Sequence, residues 1–343
     1  MQTESARVAT IKDVAKLAGV SFKTVSRMIN GETNIRPAYR ERIEQAIRDL
    51  NYQPTLAARQ LASQKSFLVS LVVTDTMFSY SARMMVAIAA ECRRVGYHLV
   101  TEVLPAGTDP LDSTARIDLS VRPDCVILIP PFPDQPAVLA QLEELGIPVV
   151  RVAAVKEGYG QIIRADDEPV SVELMRHLIA LGHRRIGLVA PPLPEKASES
   201  RVRGYHRALA EAGITPDPDL VVRGTFSFES GAAAATQLLA LPQRPTAIFA
   251  ASDGMALGVM ARAQQLGYCV PDDLAVAGFD DSEQSRTSFP PLTTVRQPIA
   301  EMARAAVALA TGRGGAGPEM RPELKTRGST TGDKALCFEQ PNV

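Results

Sequence analysis

The chain has little of what covalent or redox chemistry requires. Its 343 residues include four cysteines (Cys92, Cys125, Cys269 and Cys337), far apart and without a C-x-x-C pair, which argues against a zinc site or a redox couple. Only four histidines occur. His98 opens a strand-like run, while His177 and His183 flank Ala180-Leu181-Gly182, a helix end where capping explains them. There is no G-x-S-x-G elbow, no H-E-x-x-H pair and no G-x-x-x-x-G-K phosphate cradle. No apolar run approaches ~18 residues, and the N-terminal stretch lacks the apolar core of a signal peptide. The expectation is a cytoplasmic protein that is not an enzyme, holds no metal or cofactor and meets no membrane.

Net charge is −1 over the whole chain, which by itself argues against a nucleic-acid partner. The average hides an asymmetry. Residues 1–65 carry 11 Lys/Arg against 6 Asp/Glu, a net of +5, and the remainder carries 26 against 32, a net of −6. A basic head on an acidic body suits a head that meets phosphates. Within that head, Thr10 and Asp13 form a T-x-x-D capping box, and Ser21 can cap a second helix running to about Met28. Between the two helices Gly19 falls where a tight turn needs positive φ. Small Ala15 sits where two helices must touch, and Val25 faces back into the core. This is a helix-turn-helix pattern, and it points to DNA. A third helix is expected from Pro37 to Leu50, and 56–62 reads as a short helix-prone linker.

From Phe67 the texture changes. Apolar runs at 68–73, 98–103, 125–129, 148–152, 186–189, 247–250 and 274–278 read as strands. Helical stretches near 83–95, 137–145, 170–182, 201–213, 229–240 and 254–267 alternate with them. This alternation predicts an α/β body of parallel sheets with helices on both faces. The strand-helix series on either side of about residue 165 suggests two similar lobes, with a ligand cleft at the carboxyl ends of the strands. The expected boundaries are 1–55 for the head, 56–66 for hinge helix and linker, and 67–343 for the body. Its lobes would span about 67–165 plus 295–320, and about 166–294 plus 321–335. The Gly-rich stretch 312–318 is read as a loop.

Seven ordered motifs together identify a family: ATIKDVAKLAGVSFKTVSRMING, LNYQPTLAARQLA, LIALGHRRIGLV, RVRGY, SDGMALG, VAGFDDS and PPLTTVRQP. Over residues 10–330 the chain resembles the LacI/GalR (lactose-repressor/galactose-repressor) family of bacterial transcriptional regulators. The resemblance implies a small all-α helix-turn-helix head and a two-lobed, periplasmic-binding-protein-like body. It further implies a homodimer on a palindromic operator and an effector in the inter-lobe cleft. The resemblance places Phe22, Lys23 and Arg27 at base edges. There a guanidinium can reach guanine O6 and N7, and Phe22 offers only apolar contact. Ser21, Thr24, Ser26, Asn30 and Asn34 are short polar residues placed for phosphates. Where relatives carry Ser and Thr before the third helix, this chain has Arg36 and Tyr39. Leu61 matches the hinge leucine that wedges into the minor groove.

For the effector, the resemblance implies Arg201 as the gripping arginine, Asp280 as the carboxylate that takes ligand hydroxyls and Phe226 as the covering aromatic. That trio suits a sugar. Simpler roles stay open: a salt bridge for Arg201, a helix cap for Asp280 or Asp281, and core packing for Phe226. Asp75, Phe78, Tyr80, Arg151 and Ser252 are further cleft candidates. A second arginine there, Arg151, would favour a uronic acid or a sugar phosphate. Adjacent Asp280 and Asp281 could be imagined as a hydrolytic pair, but neighbours on one loop rarely converge on one bond. The alternatives are a co-repressor-dependent regulator that binds a purine or other non-sugar, and a sugar-binding protein without a transcriptional role. The thirteen residues after Thr330 show no leucine heptads, so a dimer rather than a tetramer is expected.

Overall fold

The computed structural model describes residues 9–29, 34–52, 56–63, 65–74, 79–104, 116–163, 166–192, 199–314 and 320–332, without the side chains of 57, 58, 61 and 62. The chain divides into two units, 1–67 and 68–343. The first contains α1 (Ile11–Ala18), α2 (Phe22–Ile29), α3 (Pro37–Asp49) and α4 (Leu56–Ser63). The capping box forms as read: Asp13 N–H donates to Thr10 Oγ1 at 3.4 Å, and Thr10 N–H donates to Asp13 Oδ2 at 2.8 Å. Gly19 ends α1 at φ 62°, the left-handed conformation that lets the chain turn at once into α2. Val14, Ala15, Ala18, Val25, Ile43, Ala46 and Tyr52 meet in one core, with Val25 and Ile43 fully buried. In α4, Gln60 Nε2 donates to the Ser66 oxygen at 2.7 Å, and Arg59 lies 4.0 Å above the Phe67 ring.

The second unit has two lobes. The first lobe holds β1 (Leu68–Val73), α5 (Ser79–Arg94), β2 (His98–Val103), β3 (Cys125–Leu128), α6 (Pro136–Glu144), β4 (Val149–Val152) and β5 (Gln161–Ile163). Its sheet is parallel throughout, in the order β2-β1-β3-β4-β5. The second lobe begins with α7 (Glu168–Ala180), β6 (Ile186–Ala190), α8 (Glu199–Glu211), β7 (Val221–Arg223) and α9 (Phe228–Leu239). It continues through β8 (Ala247–Ala250), α10 (Asp253–Gln265), β9 (Ala275–Ala277), α11 (Glu283–Thr287) and β10 (Thr294–Arg296). Here the parallel order is β7-β6-β8-β9, and a bridge from Ala277 to Thr293 brings β10 beside β9.

The chain then returns to the first lobe, where α12 (Ile299–Ala310) packs on α5, β3, β4 and β5. It crosses back once more to β11 (Glu323–Lys325), antiparallel to β10, and α13 (Gly328–Thr331). Three crossings therefore join the lobes, from β5 to α7, from β10 to α12 and from α12 to β11. Because β10 pairs within the second lobe, the second crossing follows Arg296.

In each sheet the winding reverses beside the first-formed strand, β1 in one lobe and β6 in the other. The carboxyl ends there open a crevice between diverging loops. Close helix packing fixes the second lobe's rim. A Cβ on Gly231 would strike the Met255 oxygen, and one on Gly258 the Phe228 oxygen, so α9 and α10 touch backbone to backbone only because both positions are glycine.

Candidate functional site

In the head, Ser21 caps α2: its Oγ accepts from Thr24 N–H at 3.1 Å and lies 2.8 Å from the Thr24 hydroxyl. That spends Ser21 on the turn and leaves the following residues to face outward. Phe22 is 52% exposed, Lys23 is exposed and Arg27 is half-buried. Asn34 is exposed before α3, and Arg36 stands at its N-cap position without a side-chain capping bond. Asn30, Asp75 and Phe78, and the side chain of Leu61, lie outside the described residues.

The body's site is built on buried charge. Arg201, on α8, is 6% exposed. Its Nε donates to Asp167 Oδ2 at 2.9 Å and its Nη1 to the Ala251 carbonyl at 2.5 Å, while Nη2 lies 3.9 Å from Asp280 Oδ1. Its guanidinium carbon stands 3.8 Å above the buried Phe279 ring. Asp280 Oδ1 also accepts from Gln297 Nε2 at 2.6 Å. Asp167 precedes α7 on the first crossing, and Gln297 lies on the second. Arg201 and Asp280 are thus hydrogen-bonded to segments that join the two lobes. Among the described residues, Asp280 Oδ2 and Asp167 Oδ1 have no hydrogen-bond partner, and neither is sealed from solvent. Two acceptor oxygens therefore flank one guanidinium.

Adjacent Asp280 and Asp281 have opposite surroundings. Asp281 is fully buried and accepts from Arg327 Nη2 at 2.5 Å and Arg296 Nε at 2.6 Å, with Arg286 at 3.8 Å. Burial pushes the Asp281 carboxyl up, but the hydrogen bonds from Arg327 and Arg296 outweigh it and hold it below the usual carboxylate range. For Asp280 burial wins: it pushes the carboxyl up to about 6 against the pull of Arg201, Gln297 and Arg83. Both residues stand at positive φ, 115° and 50°, as does Phe226 at 64°. Non-glycine residues held there store strain that recurs at binding sites. Neither aspartate caps a helix; Ser282 does, accepting from Ser285 N–H at 3.2 Å.

Asp253, 1% exposed at the start of α10, pins the rim. It accepts from Ser282 N–H at 2.6 Å and from Thr294 Oγ1 at 2.5 Å. Burial, with the nearby Asp280 charge, pushes its carboxyl up to about 7.

Phe226, the third member of the trio, and two further candidates, Ser252 and Tyr80, are placed as follows. Ser252 is the N-cap of α10, accepting from Met255 N–H at 3.3 Å. Phe226 is half-buried against the core beside α9 and α10, and its carbonyl fills the space beside Gly254. Tyr80 is half-buried in the first turn of α5.

Arg151 engages groups of its own lobe, while its Nη1 is buried without a hydrogen-bond partner among the described residues. It is fully buried within the first lobe, where it donates to Asp134 Oδ1 and to the Pro133 oxygen, both at 2.5 Å, and to the Lys156 oxygen at 2.9 Å. Its charge is met by Asp134 rather than held out to a ligand anion. Asp134 lies 17 residues upstream, beyond any local motif. Asp167, Gln297 and Arg83 were not read from the sequence. The Asp-Glu-Pro start of a helix at 167–169 was the available signal for the first. Of the histidines, His177 Nε2 lies 2.9 Å from the Thr330 hydroxyl, and His183 Nδ1 lies 2.9 Å from that of Thr246.

Comparison with known proteins agrees with this geometry. A model described as bacterial regulatory proteins, lacI family, matches residues 10–55, and one described as a periplasmic binding protein-like domain matches residues 175–330. The HTH-type transcriptional repressor PurR of Aliivibrio salmonicida is 33% identical over 304 residues, covering 88% of this chain and 90% of that one. The chain belongs to the LacI family of bacterial regulatory proteins. Other members align as fully. The ribose operon repressor of Escherichia coli K12 is 32% identical over 302 residues, 88% of this chain and 91% of its own. A lac repressor dimer bound to operator and the anti-inducer ONPF superposes with a TM-score of 0.73 at 29% identity, covering 94% and 99% of the two chains. A CelR–cellobiose complex does so at 0.66 and 31%, covering 94% and 99%. The helix-turn-helix head and α/β body are those of this family of DNA-binding regulators.

Asp253 and Asp280 make a pH prediction. Both carboxyls hold their protons more tightly in the native state than in the unfolded chain, where an Asp titrates near 4. Their contribution therefore favours the native state at low pH and is lost as pH rises from about 4 through about 7. Denaturant unfolding at pH 5 and pH 8 should show the wild type losing stability relative to Asp253→Asn. Parallel curves for the two proteins would mean that Asp253 is already ionised at pH 5.

Proposed function

We propose that the protein is a transcriptional repressor that acts in the cytoplasm, binds a two-fold symmetric operator as a dimer and responds to a small, neutral, polyhydroxylated effector of the sugar class. The observation that supports the effector reading is the pair of acceptor oxygens, Asp280 Oδ2 and Asp167 Oδ1, unpartnered among the described residues, beside an arginine whose charge the same two carboxylates meet through their other oxygens. Carboxylate oxygens accept from hydroxyls. A ligand carboxylate or phosphate would face two aspartates. Arg151, the residue that had argued for such a ligand, is engaged elsewhere. Phe22, Lys23 and Arg27 read base edges, Thr24, Asn30 and Asn34 hold phosphates, and Leu61 enters the minor groove. One helix-turn-helix spans few base pairs, so two heads related by a dyad supply the specificity.

Effector in the cleft shifts the lobes and, with them, the spacing of the paired hinge helices. A coupling of ~1–3 kcal/mol would change operator affinity about 5–150-fold.

The test is a thermal-shift screen of the full chain against neutral mono- and disaccharides, uronic acids, sugar phosphates and purines. A ligand at 100 times its Kd adds about 2.7 kcal/mol of stability. Hits among neutral sugars are expected, and hits confined to anionic compounds or purines would contradict the reading. At the other end, Arg27→Ala should cost about 1–3 kcal/mol of operator affinity and relax preference at one base pair. Equal losses on all sequences would reduce Arg27 to a phosphate contact.

A further inference from the structure

Arg83 ties the two lobes together at the effector carboxylate. It stands in the second turn of α5, in the first lobe, and its Nη1 donates to two main-chain oxygens of the second lobe, Asp280 at 2.5 Å and Asp281 at 3.0 Å. Successive peptide oxygens ordinarily diverge along a chain. These two converge on one guanidinium nitrogen where residues 280 and 281 both stand in the left-handed region, which Asp tolerates better than most residues. The side chains of the same two residues are placed differently. Asp281 is clamped by Arg327 and Arg296, whereas Asp280 Oδ2 has no hydrogen-bond partner among the described residues.

We propose that Arg83 is the positioning residue that transmits a change at the Asp280 carboxylate to α5, and so to the first lobe. A ligand that draws on the Asp280 side chain must rotate its peptide. The Asp281 ion cluster holds the next residue still, so the motion appears at the Asp280 carbonyl and reaches the guanidinium bound to it. An arginine that merely fastened one surface to another would not need this loop's backbone, nor carbonyls on both sides of the Asp280–Asp281 bond. The biological use of this link rests on the cleft being the effector site; the link itself does not.

A double-mutant cycle on the full chain, read by hydrogen exchange, needs no effector. Asp280→Asn removes the carboxylate charge but keeps an oxygen for Gln297. In the wild-type background it should change amide exchange across α5, residues 79–94, several-fold. With Arg83→Gln present, Asp280→Asn should still alter exchange at 279–282 but leave α5 unchanged. Arg83→Lys, which keeps a single charged donor, should restore part of the α5 response, a rescue that a simple loss of packing would not show. If Arg83→Gln fails to fold, the graded comparison of wild type with Arg83→Lys carries the test. An α5 response to Asp280→Asn that is absent in the wild type, or equal in all backgrounds, overturns the proposal. A screen without ligand hits would overturn the effector reading and leave this cycle interpretable.

Discussion

The second unit depends on one buried electrostatic arrangement, the splitting of two neighbouring aspartates between two arginine systems. Asp281 anchors Arg327, Arg296 and Arg286, which come from α13's edge, β10 and α11. Taking these charges out of water is costly, and the arrangement holds because each buried group finds several partners. Arg327 Nη1 also donates to the Leu292 oxygen and lies 3.2 Å from the Ser285 hydroxyl. With that side held, Asp280 stands at positive φ beside Arg201.

Function follows from where the partners of Arg201 and Asp280 sit. Asp167 and Gln297 belong to two of the three crossings between the lobes, and Arg83 reaches across from α5. A ligand that engages the two carboxylates therefore acts on the segments that set the angle between lobes. It can shift a two-state equilibrium only through a difference in affinity for the two states. On the proposed effector reading, that difference comes from Asp167 and Gln297, which sit on the crossings and are bonded to the site. The high proton affinity of Asp253 and Asp280 has the same origin in each, since burial raises both carboxyls and the Asp280 charge adds to the rise at Asp253.

Much of this was legible in the sequence because its signals are local. The Thr10–Asp13 box, Gly19 in its turn and the buried Val25 follow from spacing, and the long apolar runs gave β1, β2 and β8 with the ends read for them. What was missed is short or non-local. β5, β7, β10 and β11 are three residues each, too short for an alternating pattern, and they exist because a neighbouring strand is already in place. α12 did carry a helical repeat in Ile299, Met302, Ala303, Ala306 and Val307, a signal present but not taken up. At the site, motif matching led to Arg201 and Asp280. It could not show that Asp281 is clamped by Arg327 and Arg296, nor that Asp134 neutralises Arg151, because those partners lie 15 to 46 positions away.

The measurement that bears most directly on this account is the unfolding free energy of Asp280→Asn and Asp281→Asn in the full chain, side by side at neutral pH. Loss of the Asp281 charge leaves Arg327 buried without its counter-ion and should cost about 3–5 kcal/mol, the range for breaking one side of a buried pair. Asp280→Asn keeps the Gln297 contact, relieves a dry carboxylate and should be neutral or stabilising. Equal losses, or a larger loss at Asp280, would contradict the division between a structural and a ligand-facing aspartate on which the account rests.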